Sequence, residues 1–404
     1  MRIPGLAKRR APRALLAWEY GGGHTHAANL VAVARHLRRE GVACLATLHD
    51  LRAAPALAEL GVRCVQNHVW PGGRRWVPHD WERPHAGFTD VLGNLGLARG
   101  DAVAGALAHY DGLGALFTPD VVLAENAYGA HLAFRGRAPV VAFGFGQYLP
   151  PVVDGRLPGS DGAYWSEAEV ASGIAAGLAR AGRAPLPRLG DLFAVEAVLP
   201  FGPAAFDLHT PLRAEPALPA HVPGFAPGLR AEAGAEVFVY LQGFAARLPA
   251  VMAALLSLGR PMRAHIPDLD PGDRALLVRA GVALEDDPVP AAALVARSAC
   301  VLHHGGVGLA ALCLSAGLPQ VVLSKQLDNR TAGAFAAAAD LGAHARIDEA
   351  GTAWIVAETR RARDGAALRA RCRARAPEFD AWFGPDPTLT VAQTAFRLLG
   401  MSPR

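Results

Sequence analysis

Short apolar runs, each closed by a glycine-bearing turn and followed by an alanine- and leucine-rich stretch, recur along the chain. RALLAWEY (13–20) predicts a first strand, GGGHTHA its turn and NLVAVARHLRREG (29–41) a helix. Residues 42–48, PDVVLAE (119–125) and APVVAFGF (138–145) predict three more strands, with a helical GAHLAFRG between the last two. Runs this short and continuously apolar suit parallel strands covered on both faces. The alternation resumes with EVFVYLQG (236–243) as a strand, LPAVMAALLSLG (248–259) as a helix and MRAHIP (262–267) as a strand. SACVLHH (298–304) and LPQVVLS (318–324) predict two further strands, and TVAQTAFRLLG (390–400) has the spacing of a last amphipathic helix.

From about residue 200 to 232 the chain is crowded with proline, which no helix can run through. The pattern therefore predicts an α/β protein of two doubly wound, parallel-sheet domains, residues 1–205 and 232–385. Residues 206–231 connect them and 386–404 form a terminal helix. A length of 404 residues, two or three times the usual domain size, agrees with that division. Two such domains put a cleft at the carboxyl ends of their strands, where ligands bind.

Composition narrows the function classes. Half the residues (51%) are hydrophobic and 19% are charged, enough to bury real cores. A net charge of +4 is too slight for a nucleic-acid footprint, so no nucleic-acid partner is expected. The cations are almost all arginine, only Lys8 and Lys325 being lysines, which reads as codon bias. Cys44, Cys64, Cys300, Cys313 and Cys372 are odd in number and lack any metal-ligand spacing, so they read as reduced core thiols. No apolar run reaches the ~18 residues of a transmembrane helix, and the first residues lack a signal-peptide core. A cytoplasmic protein is expected.

The richest chemistry lies between His303 and Asn329. The strand SACVL runs into His303-His304-Gly305-Gly306-Val307-Gly308, and the helix LAALCLSAG follows at once. Glycines let backbone approach a ligand, and a helix start offers unpaired N–H groups and the positive end of a dipole. Together they make a cradle for a diphosphate. A histidine at its lip can add a hydrogen bond to a phosphate oxygen. One βα unit later, Lys325-Gln326-Leu327-Asp328-Asn329 lies beyond a strand end, where an aspartate and an amide could hold vicinal sugar hydroxyls. The plainer alternative is a tight βα turn with histidines facing solvent.

HHGGVG followed by AGLPQVVLSKQLDNRTAGAFAAAADLGAHARI resembles the nucleotide-sugar half of GT-B glycosyltransferases, most closely the UDP-glycosyltransferase-like group that includes antibiotic and macrolide glycosyltransferases, which are bacterial. The resemblance implies a GT-B protein: two Rossmann-like domains facing across a cleft, the acceptor in the amino half and the donor in the carboxyl half. The final helix is then expected to cross back onto the first domain. It implies that His304, Gly305 and the amides of Gly306, Val307 and Gly308 hold the donor diphosphate, and that Asp328 and Asn329 hold the donor sugar. Gln242 and Gly243, where the family has a small-residue loop near the phosphates, are secondary contacts. The sequence departs from the family at Leu309, which replaces a Thr or Ser hydroxyl, and near Ala311, where plant members have a ribose-binding glutamate. It also departs at Ser324, which replaces a proline, and at Asp287-Pro288-Val289-Pro290, which replaces the tryptophan-proline-glutamine over the base. The base is therefore left open between uridine and thymidine.

Gly21-Gly22-Gly23-His24-Thr25-His26-Ala27-Ala28-Asn29 sits between the first strand and its helix. It is not G-x-G-x-x-G, and only Asp50 lies near the end of the second strand, which argues against a dinucleotide site. A histidine at such a turn is neutral near pH 7 and can accept a hydroxyl proton. The segment also resembles the superfamily's first motif, GGxGH-x-x-P. Aligning the following helix puts the family's general base at His26 and its proline at Asn29, while a slip of one turn would put the base at His24. Glu125, at the end of PDVVLAE, stands where related plant enzymes carry an aspartate that orients that histidine. A helix-terminal histidine without chemistry, and an acidic residue capping beside Asn126, are the plainer alternatives.

Trp70, Trp76 and Trp81 interleave with Arg74, Arg75, His79, Arg83 and His85 in a Pro/Gly-rich loop. That chemistry suits stacking on an acceptor or peripheral contact with a membrane surface, and equally a loop pinned by buried tryptophans. Asp268-x-Asp270 reads as a solvated loop with a helix cap rather than a metal-binding pair, and no G-x-S-x-G elbow occurs. No metal and no cofactor are expected. The expected reaction is metal-independent, inverting transfer from a UDP- or dTDP-sugar to the hydroxyl of a small molecule or lipid. A GT-B-fold nucleotide-sugar epimerase and a non-catalytic sugar-nucleotide-binding partner are the alternatives.

Overall fold

The computed structural model describes residues 10–21, 24–71, 85–159, 162–232, 234–259 and 261–402, without the side chains of His24 and Asp328. They form two compact units, one from the stretches within 10–71, 86–200 and 387–402, the other from 201–386. The first unit holds six strands: β1 (Arg13–Trp18), β2 (Ala43–Leu48), β3 (Arg63–Gln66), β4 (Val121–Glu125), β5 (Val140–Phe145) and β6 (Ala197–Phe201). They lie in the order β3-β2-β1-β4-β5-β6, with β1 parallel to both β2 and β4. Helices α1 (His24–Arg39), α2 (Ala54–Ala58), α3 (Phe88–Leu95), α4 (Gly100–Phe117), α5 (Tyr128–Phe134) and α6 (Glu167–Arg180) connect and cover them. Helix α1 shows why the pattern works: Leu30, Val33, Ala34 and Leu37 are spaced along one face and are fully buried. Each of the larger three contributes on the order of 2 kcal/mol by leaving water.

The second unit repeats the arrangement. Its strands are β7 (Glu236–Tyr240), β8 (Met262–His265), β9 (Ala283–Glu285), β10 (Ser298–His303), β11 (Gln320–Ser324) and β12 (Gly342–Arg346), ordered β12-β11-β10-β7-β8-β9. Numbered within its own unit, each sheet therefore runs 3-2-1-4-5-6. Helices α7 (Gly243–Ala246), α8 (Pro249–Ser257), α9 (Pro271–Arg279), α10 (Ala291–Arg297), α11 (Val307–Ala316), α12 (Leu327–Ala338), α13 (Thr352–Asp364) and α14 (Ala366–Arg375) complete it. The chain then returns to the first unit, where α15 (Pro387–Leu398) packs on α1 through a face that includes Val391, Ala392, Ala395 and Phe396.

The proline-rich stretch 206–231, expected as a connection standing between domains, packs within the second unit instead. Ala220 N–H donates to Trp382 O (2.8 Å), Ala231 N–H to Ala316 O (2.8 Å), and buried Phe206 meets Phe335 and Trp382 edge-on. Proline forbids helix there but not burial of the aromatic and aliphatic residues between prolines. Among the described residues no helix is long and apolar enough to cross a membrane.

A buried carboxylate that the sequence did not flag fixes the exit of β1. Glu19 is fully buried and accepts from Tyr110 Oη–H (2.6 Å), Trp70 Nε1–H (2.9 Å) and the amides of Gly129 (2.9 Å) and Ala130 (3.0 Å) at the start of α5. Burial raises its pKa, against the lowering effect of those four donors. Trp70 thus has a packing role; residues 72–84, with the rest of its loop's tryptophans and arginines, lie outside the described residues.

Candidate active site

In both sheets the strand order reverses between the first and fourth strands, which is where ligands of open α/β sheets bind, beyond the carboxyl ends. Parallel register aligns the residues there. Trp18 pairs with Glu125 across β1 and β4, and His303 pairs with Tyr240 across β10 and β7.

In the first unit, α1 begins earlier than the sequence suggested, at His24, so His26 lies in its first turn and not in the preceding loop. The structure brings His26 and Glu125 together. His26 Nδ1 lies 2.8 Å from both carboxylate oxygens, and Asn29 Nδ2 donates to Oε1 at 3.4 Å. Glu125 is fully buried and His26 nearly so. With Nδ1–H donating to the carboxylate, Nε2 is the bare nitrogen and can accept a proton. Two rings hold the imidazole in plane: Trp18 stacks on it (5.8 Å between centroids, 24°) and Phe145 meets it edge-on (5.8 Å, 81°). Nε2 faces Gly21, whose φ of +99° is a glycine conformation and where a Cβ would stand 2.3 Å from that nitrogen. Gly144 (φ +132°) plays the same part beside Glu125, a Cβ there falling 2.9 Å from Oε1. Trp18, Gly144 and Phe145 join Gly21 and Asn29 of the first-turn motif around this pair. The glycine inside the strand pattern APVVAFGF was the available signal, since an isolated strand glycine marks a close approach. His24 opens α1, and its side chain lies outside the described residues.

In the second unit the two histidines divide the work. His303 is fully buried, with Nε2–H donating to Gln320 Oε1 (2.9 Å) and Nδ1 accepting from Gly305 N–H (3.1 Å). It braces the turn and has no nitrogen left for a ligand. His304 is part-exposed, its ring tilted on Tyr240 (4.9 Å) and its Nδ1 3.4 Å from Tyr240 O. Its Nε2 lies by Gly306, where a Cβ would be 3.2 Å away. Gly305 has φ +90° and no room for a side chain: a Cβ would stand 2.7 Å from Asn329 O and 2.8 Å from Val322 Cγ1. Gly306 caps α11 without a side-chain bond, and Ala310 N–H is the first to bond back, to Gly306 O (2.9 Å). The earlier amides of the helix start are thus available to an anion.

Several residues expected on the donor serve the turn itself. Asn329 Nδ2 donates to Gly305 O (3.4 Å) and its Oδ1 accepts from Gln326 N–H (3.4 Å), so it ties α12 to the glycine turn. Asp328 is in the first turn of α12, its side chain outside the described residues. Gln242 precedes α7 as its cap residue. Gly243 N–H is engaged by Pro267 O (2.9 Å), and a Cβ there would strike Asp268 O at 2.2 Å, so packing accounts for that glycine. Of the departures from the family pattern, Leu309 packs on the apolar cluster containing Val295 and Leu312, and Ser324 Oγ bonds His344 Nε2 (2.8 Å), joining β11 to β12. Asp270 caps α9, its Oδ1 accepting from Gly272 N–H (2.9 Å).

Residues 269–395 match the family model described as the erythromycin biosynthesis protein CIII-like C-terminal domain. This region is similar to that domain. No curated protein matches the sequence. Among solved structures, the chain is similar to CalG4, the calicheamicin glycosyltransferase, at 18% identity and TM-score 0.64, covering 97% of this chain and 99% of that one. Glycosyltransferase VinC in complex with dTDP matches at 19% identity and TM-score 0.61 (96% and 99% covered). Spinosyn rhamnosyltransferase SpnG with spinosyn aglycone matches at 18% and 0.63 (95% and 100%). At these identities the likeness is one of fold: the chain has the GT-B fold, and the matched stretch 269–395 contains the HHGGVG turn.

Buried histidines make each unit acid-sensitive. Burial pushes His131 in the first unit down to about 4 and His303 in the second down to about 3. Both rings stay neutral in the fold, while in the unfolded chain they take up a proton near the ordinary 6.5. The unfolded state therefore binds more protons below pH 6.5, and stability falls as pH drops from there toward 3–4. Urea unfolding at pH 7 and pH 5 is expected to show lower stability at the lower pH, with each of these two histidines contributing a loss of about 2 kcal/mol. Identical midpoints at the two pH values would contradict it.

Proposed function

We propose that the protein is a glycosyltransferase that moves a sugar from a UDP- or dTDP-sugar to a hydroxyl of a small-molecule or lipid acceptor, with inversion and without a metal. The observation that carries this reading is the His26–Glu125 pair at the strand-order reversal of a GT-B fold. Glu125 fixes the tautomer and stabilises the imidazolium that forms. Nε2 of His26 removes the acceptor's hydroxyl proton as the oxygen attacks the anomeric carbon of the donor. A single displacement from the face opposite the leaving group inverts that carbon.

The departing nucleoside diphosphate gains negative charge, which the first amides of α11 and His304 stabilise. Each such donor is worth about 3 kcal/mol in the transition state, so the helix start and His304 can do part of the work otherwise done by a metal cation. Support for a nucleotide-sugar donor and an aglycone acceptor comes from VinC, solved with dTDP, and SpnG, solved with spinosyn aglycone.

The test incubates purified protein with UDP-, dTDP- and GDP-sugars in EDTA and follows nucleotide release over hours. Release from a uridine or thymidine donor is the expected result. Folded protein that binds and turns over none of them would overturn the reading in favour of a non-catalytic partner, and conversion of the sugar without its release would indicate an epimerase.

A further inference from the structure

Lys325 is the only lysine among the described residues, and its position is unusual. It leaves the carboxyl end of β11 directly, while Phe244 belongs to α7, just beyond the carboxyl end of β7. The Lys325 Nζ nonetheless lies over the Phe244 ring, 4.8 Å from its centroid. In the sheet β10 runs between β11 and β7. Neighbouring strands are about 4.8 Å apart, so a contact between residues from strands two places apart passes across the exit of the strand between them. That exit is the His303–Gly308 turn.

The helix start at this turn brings no charged or hydroxyl-bearing side chain of its own. The first turn of α11 holds no acidic group, and its cap is glycine. Leu309, which takes the place of a hydroxyl residue, packs into the apolar cluster instead. A nucleoside diphosphate brings two adjacent negative charges, and helix amides supply only about half an elementary charge. An aromatic face positions an ammonium group, and both Lys325 and Phe244 are part-exposed.

We infer that Lys325, held by Phe244 across the glycine turn, binds the terminal phosphate of the donor diphosphate and takes over the role of the absent hydroxyl. The inference rests on the nucleotide-sugar reading above. In the transferase it places a full positive charge on the leaving group, so it acts on binding and on departure of the diphosphate alike.

Calorimetric titration of wild type, Lys325→Met and Lys325→Arg with UDP and dTDP, and with the corresponding monophosphates, tests it. Lys325→Met is expected to weaken diphosphate binding about 10- to 100-fold, the range for hydrogen bonds to charged groups, and to leave monophosphate binding within about twofold. Lys325→Arg should retain most of the affinity, and Phe244→Leu should show a smaller loss in the same direction. Diphosphate affinity unchanged in Lys325→Met overturns the inference, as does an equal loss for monophosphate and diphosphate, which would mark a merely structural lysine. Wild type that binds neither UDP nor dTDP overturns the nucleotide-sugar reading itself, a distinct result. Should Lys325→Met fail to fold, Lys325→Gln replaces it under the same criteria.

Discussion

His26→Ala is expected to lower kcat about 100- to 10,000-fold, the range attributed to a general base, with binding of UDP or dTDP unchanged because the cradle belongs to the other unit. The variant also leaves Glu125 buried with only Asn29 at 3.4 Å, and stranding a buried acceptor costs about 1–3 kcal/mol. Loss of activity could then reflect loss of fold. His26→Gln separates the two effects. Its amide N–H can still donate toward Glu125, but it has no titratable nitrogen to take a proton. Urea midpoints and single-turnover rates measured side by side should show Gln recovering stability and not activity. A His26→Gln enzyme with near wild-type turnover would remove His26 from the chemistry.

Gly305→Ala is expected to destabilise the second unit by about 2–4 kcal/mol and to abolish measurable nucleotide binding. Two costs combine at this position. The φ of +90° penalises any Cβ by about 1–2 kcal/mol. The Cβ would also sit 2.7 Å from Asn329 O and 2.8 Å from Val322 Cγ1, pushing apart the turn and the start of α12. Gly228→Ala isolates the first cost, because Gly228 has the same φ of +90° with nothing within 4 Å. Urea unfolding of both variants should place Gly228→Ala clearly closer to wild type. Equal losses would mean that backbone conformation alone, and not the close approach to Asn329, requires glycine at 305.

The strands were legible because buried parallel strands are written as uninterrupted apolar runs. Runs such as VVLAE and SACVLH are buried along their whole length, so no alternation is needed to recognise them. The four edge strands β3, β6, β9 and β12 were not legible, since RCVQ, AVLPF, ALE and GAHAR are short and partly exposed. The start of α1 was misjudged for a related reason: GGGHTHA contains turn residues, yet only backbone geometry says at which of them the helix begins. Within the HHGGVG turn the sequence left the two histidines equivalent in type. Burial distinguishes them, because Gln320 and the Gly305 amide use both nitrogens of His303, while His304 keeps its Nε2 beside Gly306.

What the sequence determined by itself was local: the central strands and several of the helices, that the α/β pattern occurs twice, and that glycine-rich turns carrying histidines follow β1 and β10. Those properties depend on residue spacing and backbone freedom over a few positions. What only the tertiary structure decided was partnership. His26 and Glu125 are 99 residues apart and meet because β1 and β4 lie side by side in register. Phe244 and Lys325 meet across β10 for the same kind of reason. Strand order sets such meetings, and it follows from the packing of the whole sheet and its covering helices, which no short stretch of chain contains.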